Sequence, residues 1–330
     1  MTFTFIDFCA GIGGAHKALK SLGGECLGFS EIDVNAEQTY KELHGDYKNF
    51  GDLMKINPLT LPKFDILTAG FPCQSFSVVG KRKGLIDPRG QIIYGIANIL
   101  KTTKPKSFIL ENVKGLLSID KGAAFKSIIE LLESCNYNLF YKVLNSAYYG
   151  VPHSRERIYI VGFRNDLNII DFNFPKSITT SPLNNYLIDE TSEHILKGSG
   201  LDTFKNKYLQ NKYNKGIYKY DELTKLNYTV IDGRQSDLRL YKNSVPTIRT
   251  GRQGILYVKN GIIRRLSGYE ALLLQGFDKI SSTHAAQKIA NSKLLAQAGN
   301  AMTVNVMFEI SKFMLQVLHA ESRRTIATGV

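Results

Sequence analysis

Apolar and polar positions alternate in blocks through the first half of the chain. Thr4-Phe5-Ile6-Asp7-Phe8 has the length and apolar content of a buried strand, and Ala10-Gly11-Ile12-Gly13-Gly14 ends it. From His16 to Leu22 the spacing predicts a helix, with Ala15, Ala18, Leu19 and Leu22 on one face and Gly23-Gly24 past its end. Further strands are predicted at Cys26–Ser30, Asp65–Ala69, Ser107–Leu110 and Arg157–Gly162. Helical patterns over Gly90–Leu100 and Phe125–Cys135 lie between them. Continuous apolar strands alternating with helices predict a parallel sheet covered on both faces.

The pattern changes at Phe174-Pro175. From Lys176 to Lys259 the chain is rich in Lys, Asn, Tyr, Thr and Gly, and helical periodicity is weak. Leu226–Ile231 and Gly254–Val258 read as short strands, so a second, smaller domain of strands and loops is expected. The polar tract Phe204–Tyr220 is alternatively a flexible insertion. Helical texture returns at Ser267–Gln275 and at Thr303–Leu318. The last helix is too isolated to stand alone, so it is expected to pack back on the first domain and make it discontinuous. The tail after His319 reads as frayed, and no internal repeat is visible.

Composition narrows the class. A chain of 330 residues with 43% hydrophobic and 22% charged residues is not disordered or collagenous. The 42 Lys and Arg exceed the 29 Asp and Glu, a formal charge of +13 spread along the whole chain. Such a surface favours polyanions, although a merely soluble basic enzyme has the same balance. Four irregularly spaced cysteines argue against a disulfide framework, and no Cys/His cluster suggests a metal site. No signal peptide is evident, and no apolar run approaches the roughly 18–20 residues of a membrane span. A soluble, reduced, cytoplasmic protein is expected.

Candidate chemistry falls at the predicted strand ends. The glycines at 11, 13 and 14 permit tight backbone angles and close approach of a ligand. Glu31 lies about 20 residues on, at the end of the second strand, where a dinucleotide-type fold sets an acid against ribose hydroxyls. The pair reads as a nucleoside-cofactor site. A plain structural turn is the alternative, because Gly11-x-Gly13-Gly14 is not the full dinucleotide fingerprint. Asp52 is placed to reach an adenine amine, or is simply a loop acid.

Gly70-Phe71-Pro72-Cys73-Gln74-Ser75-Phe76-Ser77 follows a buried strand, so Cys73 lies at the carboxyl edge of the sheet. A thiolate there is a candidate nucleophile. An inert buried cysteine is the alternative, and it suits Cys26 and Cys135. Glu111-Asn112-Val113 brings a carboxyl to the same edge, as a proton donor or as a helix N-terminal acid. In His153-Ser154-Arg155-Glu156-Arg157 the two arginines are expected to share one strand face and hold a carbonyl or phosphate. A solvated strand start with Glu156 as partner is the alternative. The set as a whole fits one reaction. Sulfur attack on C6 of a pyrimidine makes C5 nucleophilic. A carboxyl near N3 and a guanidinium near O2 stabilise the developing charge, and a sulfonium methyl is the electrophile.

In their order and wording these motifs resemble the C5-cytosine DNA methyltransferases, most closely the compact bacterial enzymes of restriction–modification systems. The resemblance covers essentially the whole chain, from Phe5-Ile6-Asp7 through Gly14 to the final motif Gln297–Val306. Between them, Gly80–Gly90 matches the mobile extension of the catalytic loop, and Arg265-Leu266 through Glu270 matches the motif after the recognition region. The resemblance implies a doubly wound, Rossmann-like α/β domain that uses S-adenosyl-L-methionine, over residues 1–175 and 271–330. A smaller strand-and-loop target-recognition domain is implied over residues 176–270.

By the same resemblance Cys73 is the nucleophile, Glu111 the acid at N3 and Arg157 the O2 contact, while Arg155 supports the pocket and touches phosphate or base. Asp7, Cys9, Gly11, Gly13, Gly14, Glu31, Ile32, Asp52, Leu53, Pro72, Ile92 and Asn300 are implied around the cofactor. Gln74, Ser77, Lys81, Arg89, Thr247, Arg249, Arg252 and Gln253 are implied at the DNA, with phosphate contact as plausible as base readout for each. Four positions depart from the family pattern. Cys9 replaces a usual Phe near the sulfonium, Ile32 replaces an aromatic against adenine, and His153-Ser154 replaces Gln-Arg or Gln-Lys.

The implied substrate is a cytosine flipped out of double-stranded DNA. The implied assembly is a monomer, with a cognate restriction endonuclease as a possible counterpart. The rival is a tRNA cytosine-5 methyltransferase of the same fold, whose loop typically reads Pro-Pro-Cys where this chain has Phe71-Pro72-Cys73. A non-catalytic nucleic-acid-binding protein and an NAD-dependent oxidoreductase leave the joint occurrence of Cys73, Glu111 and Arg157 unexplained.

Overall fold

The computed structural model describes residues 2–72, 92–210, 217–234 and 237–328. They form two compact units, one of Met1–Asn145, Glu156–Ser177 and Met302–Val330, the other of Ser146–Arg155 and Ile178–Ala301. The first break falls two residues from the expected 175/176. The return to the first unit comes at 301/302 rather than at 270/271, and Ser146–Arg155 joins the second unit. Helical periodicity identifies a helix but not the partner it packs on, and the three helices before Ala301 fall in the second unit.

In the first unit β1 (Thr4–Phe8), α1 (Gly14–Ser21), β2 (Glu25–Ser30), α2 (Val34–His44), β3 (Ile66–Gly70), α3 (Ile92–Thr103), β4 (Ser107–Val113), α4 (Ala123–Glu133) and β5 (Tyr137–Asn145) follow in order. The two-residue β6 (His153–Ser154) lies in the second unit, and β7 (Glu156–Arg164) returns to the first. The sheet order is β2-β1-β3-β4-β7-β5. β2, β1, β3 and β4 are parallel, whereas β7 runs antiparallel to both β4 and β5. The fold class is as expected, but the sheet is mixed rather than all parallel. Only ten residues join β5 to β7, too few for the crossover that a parallel pair needs.

Two elements of the first unit escaped the sequence pattern. β5 is a half-exposed edge strand whose Asn138, Tyr141 and Lys142 break the apolar run. α2 buries Ala36, Thr39, Tyr40 and Leu43, a stripe too polar to stand out. It starts where the Asp33 carboxylate accepts from Asn35 N–H.

One sheet face, with Ile6, Phe8, Leu67, Leu110 and Ile160, packs on Ile96 and Leu100 of α3 and Ile128 and Leu132 of α4. On the other face α1 lies against α10 (Val304–Thr328). The last helix therefore does return to the first unit, and it continues past His319, where a frayed end was expected. The stretch Asn291–Glu321 contains an 18-residue window of mean hydropathy 1.2, enough by length and composition alone for a membrane span. Its most apolar part is 61% buried inside the protein, so its apolar character is accounted for by core packing.

The second unit holds α5 (Ser199–Thr203), α6 (Tyr220–Leu223), β8 (Val230–Asp232), β9 (Arg239–Tyr241), β10 (Val245–Pro246), β11 (Ile255–Lys259), β12 (Ile262–Arg265), α7 (Gly268–Leu274), α8 (Lys279–Lys288) and α9 (Asn291–Asn300). β12-β11-β8-β9 form an antiparallel sheet, and β10 pairs with β6. Phe204, Leu209 and Leu223 pack with Ile231 and Val258 in this unit's core, so the described part of the tract 204–220 is anchored rather than an inserted loop. α7 begins with a reciprocal capping box between Ser267 and Glu270.

At Gly14 the backbone of α1 touches the return of the chain. A Cβ there would lie 2.1 Å from the Met302 carbonyl oxygen. Gly14→Ala is therefore expected to cost about 2 kcal/mol through forced backbone displacement, read as a lowered melting temperature. An unchanged melt would mean that the α1–α10 contact yields freely.

Candidate active site

The strand registers bring the candidate chemistry to one edge of the first unit's sheet. Phe8 pairs with both Ser30 and Ala69, Gly70 with Glu111, and Val113 with Arg157. The carboxyl ends of β1, β2, β3 and β4 thus coincide with the amino end of β7. Arg157 reaches this edge because β7 is antiparallel. In a parallel strand its position would lie at the opposite edge.

The glycine turn is held from beneath. Gly11 and Gly13 have φ of +56° and +78°, left-handed values that favour glycine, and Cys9 shares the region at +48°. The Gly11 N–H donates to the Glu31 carboxylate at 2.7 Å, and Ile32 N–H and Asp33 N–H donate to its other oxygen at 2.8 Å. Asn49 ties this corner to the next loop. Its side chain accepts from Glu31 N–H at 3.1 Å and Gly51 N–H at 2.9 Å, and donates to the Glu31 carbonyl at 3.0 Å. That staple ties the loop just before Asp52 to Glu31, and Asn49 is a site-shaping residue the sequence reading missed. Beside it Ile32 is 72% exposed, an unusual position for an isoleucine, while Leu53 is buried.

The corner suits a nucleoside cofactor with a cationic centre. Glu31 and Asp52 are acceptors for hydroxyl and amine groups, and Ile32 offers an apolar wall in place of the expected aromatic. Burial first, and then the charges of Glu31, Asp7 and Asp52, push the Cys9 thiol up to about 12, so it stays protonated. The same negative field favours a positive sulfonium. Asp7 itself is 0% exposed and accepts from the Thr68 hydroxyl at 2.7 Å, inside the sheet. It shapes the site from behind rather than facing a ligand. Pro72 is exposed, and Ile92 opens α3 half-buried.

Glu111 and Arg157 form the other half. Arg157 Nε lies 3.1 Å from Glu111 Oε1, with the carboxyl and guanidinium side chains 9% and 13% exposed. Arg157 also donates to the Glu156 carbonyl at 2.8 Å, while Lys114 takes the Glu156 carboxylate at 3.0 Å. The Asn112 amide donates to the Phe71 carbonyl at 2.8 Å, tying β4 to the segment that leads into Cys73. Cys73, Gln74, Ser77, Lys81 and Arg89 lie outside the described residues.

Arg155 is held by other partners than Arg157 is. It lies between β6 and β7, belongs to the second unit and is 2% exposed. Its guanidinium donates to the carbonyls of Gly299 at 3.0 Å and Ala301 at 2.9 Å. Arg155 thus closes the carboxyl end of α9, a buried structural position rather than a surface open to phosphate or base. Asn300, also in the second unit and exposed, accepts from the Thr250 hydroxyl. His153 and Ser154, the departing pair, bind the Thr247-Ile248 segment. The Ile248 N–H donates to His153 Nε2 at 3.1 Å, and the Thr247 hydroxyl to the Ser154 carbonyl at 2.7 Å. Arg249, Arg252 and Gln253 are exposed, and Gln253 donates to the Ser292 carbonyl at 3.1 Å. Behind them Arg234, unmarked by the sequence, makes a buried pair with Asp232 at 2.7 Å and donates to the Thr247 carbonyl at 3.0 Å.

The fold and this edge define a doubly wound α/β protein of the methyltransferase type. The chain belongs to the C-5 cytosine-specific DNA methylase family, whose pattern matches residues 3–316. It is 34% identical to the Type II methyltransferase M.HhaI of Haemophilus parahaemolyticus over 310 residues, which cover 92% of this chain and 91% of that one. It is 37% identical to M.HaeII of Haemophilus aegyptius over 324 residues, 97% and 95% of the two chains. M.BsuFI of Bacillus subtilis is 44% identical over 219 residues, 66% of this chain and 51% of its own. Among solved structures, the S. pombe Dnmt2 methyltransferase superposes with a TM-score of 0.69 at 18% identity, covering 96% of this chain and 99% of its own. A prophage-encoded putative DNA modification methyltransferase from E. coli gives 0.70 at 17%, with the same coverage. At such identities the shared fold is what these two structures establish.

Burial, opposed by the Thr68 hydroxyl and the His16 backbone N–H, raises Asp7 from 3.8 to about 7. The folded protein thus holds a proton there that the unfolded chain releases near the ordinary carboxylate value. The stabilising contribution is complete below that value and is lost as pH rises through about 7. Asp7→Asn is expected to flatten the fall in melting temperature between about pH 4 and about pH 8. A parallel pH profile in both proteins would contradict the assignment.

Removing Arg155 takes the guanidinium donor from the Gly299 carbonyl and leaves the Ala301 carbonyl with the longer bond from Gln275 Nε2 at 3.4 Å. Arg155→Met is expected to destabilise the protein by about 3 kcal/mol, measured by denaturant unfolding. A loss of DNA affinity with unchanged stability would restore a contact role instead.

Proposed function

We propose that this chain transfers a methyl group from S-adenosyl-L-methionine to C5 of a flipped-out cytosine in a short specific sequence of double-stranded DNA. We infer further that it is the modification enzyme of a restriction–modification system, cytoplasmic and monomeric, with a cognate endonuclease acting on the same site. The observation that carries the reading is the Glu111–Arg157 pair at 3.1 Å, set on the same sheet edge as the glycine turn and Glu31. Family membership and the Type II relatives support it.

In this reading the Cys73 thiolate adds to C6 and forms a C–S bond, and the displaced electron pair moves toward N3 and C5. Glu111 holds a proton at N3, and Arg157 donates to O2, so the charge that develops on the ring is met by both. Their mutual contact orients each toward a planar base. C5 becomes nucleophilic, and the bound cofactor supplies an electrophilic methyl. The C5 proton then passes to water, its C–H electron pair re-forms the C5–C6 double bond as the C6–S bond breaks and Cys73 leaves as thiolate, and N3 returns its proton to Glu111, which restores the aromatic ring. Glu31 and Asp52 would hold the ribose and adenine of the cofactor, with Ile32 and Leu53 against its apolar surface. The exposed Arg249, Arg252 and Gln253, with Thr247 and the loop residues Gln74, Ser77, Lys81 and Arg89, are the candidates for contact with DNA.

Bisulfite sequencing of plasmid DNA, from a host without cytosine methylation that expresses the protein, tests the reading. Protected cytosines in one short context are expected. Cys73→Ala should abolish protection, and Glu111→Gln should slow methyl transfer by about a hundredfold or more. Unprotected DNA with methylated tRNA from the same cells, or full protection by the Cys73→Ala variant, would overturn it.

A further inference from the structure

A cluster of rings lies directly beneath the glycine turn and takes no part in the chemistry above. His44, the last residue of α2, places Nε2 2.9 Å from the Ile12 carbonyl oxygen. A carbonyl only accepts, so Nε2 carries the proton and donates. The His44 ring stacks on His16 at 4.3 Å and 29°. His16 Nδ1 lies 2.6 Å from the Tyr40 hydroxyl, and Tyr40 stacks on Phe29 at 3.8 Å and 16°. Phe29 stands in β2, two residues before Glu31. Both His16 and Tyr40 are almost fully buried.

The rings connect the two halves of the cofactor corner. On one side His44 fixes the Ile12–Gly13 peptide, whose N–H is tied to the Ala10 carbonyl at 2.9 Å. On the other side Tyr40 supports the end of β2 that carries Glu31, and Glu31 closes the circuit on Gly11 N–H. The fit is close. A Cβ on Gly13 would lie 2.4 Å from His44 Nε2 and 2.7 Å from the Tyr40 ring. Burial first, with His44, Lys20 and Lys17 adding, lowers His16 to about 2. His16 therefore stays neutral, and the hydrogen bond between its Nδ1 and the Tyr40 hydroxyl joins the two rings.

We propose that His44 is a positioning residue of the cofactor site, with His16 and Tyr40 as its backing: its Nε2–H holds the Ile12 carbonyl and so sets the shape of the turn that receives S-adenosyl-L-methionine. This rests on the proposed function. Among the described residues His44 is the side chain whose hydrogen bond bears on this peptide from below, so its loss is felt at the turn while the acids on the far side remain.

Calorimetric titration of the full protein with S-adenosyl-L-methionine reads the effect apart from turnover. His44→Phe keeps a stacking ring and removes the donor. It should weaken binding about fivefold, the worth of one ordinary hydrogen bond, and in turnover assays the loss should fall on KM for the cofactor rather than on kcat. His44→Gln and His44→Met are similar in length and differ in the donor. The Gln variant should bind more tightly than the Met variant by a similar factor, which tests the inference even if the Phe variant fails to fold. Equal affinity of folded His44→Phe and the unaltered protein, or of the Gln and Met pair, would overturn the inference alone. Absence of binding by the unaltered protein would overturn the proposed function and this inference with it.

Discussion

The antiparallel pairing of β7 with β4 is the constraint on which the site depends. It sets Arg157 opposite Val113 and within 3.1 Å of the Glu111 carboxyl. Two charged groups so little exposed require each other, because either one alone would bear an uncompensated desolvation cost. The pair is therefore both a piece of chemistry and a condition for burying that edge. The ten-residue link that forces β7 to reverse is also what carries Arg155 and the short β6 into the second unit.

Backbone-level contacts do much of the remaining work at the cofactor corner. Glu31 holds three N–H groups, Asn49 holds both sides of the next bend, and His44 holds a carbonyl beneath the turn. Each uses a side chain to fix a peptide plane, so ligand-facing groups are aimed before anything binds. The second unit uses the same device. Arg155 takes two carbonyls at the end of α9, and Arg234 joins Asp232 to the Thr247 carbonyl behind the exposed Arg249.

Much of this was legible in the sequence. β1, α1, β2, β3, β4 and β7 coincide with their predicted positions to within a few residues, because buried strands are continuous apolar runs and α1 has a clear apolar face. Glu31 and Glu111 were identifiable because each stands at or beside the carboxyl end of a predicted strand, whereas Asp52 follows no strand and was singled out by its place after Gly51 and by the family resemblance. β5 and α2 were not, because an edge strand and a helix with a Thr-Tyr stripe dilute the period that reveals them. The partners of Arg155 were not legible for a different reason: the carbonyls it holds, those of Gly299 and Ala301, lie 144 and 146 residues further along the chain.

By itself the sequence determined the order of elements, the glycine turn, the acids at strand ends and the presence of Cys73, since local apolar spacing and residue type suffice for these. Strand direction, the partner of each helix and the hydrogen-bond partner of each buried polar group were decided only in three dimensions. Those choices depend on contacts between residues far apart in the chain: His44 beneath Ile12, Arg155 at Gly299, Asn49 at Glu31. No local pattern encodes such pairs. They exist because every buried donor and acceptor must find a partner, and only the folded chain offers a particular one.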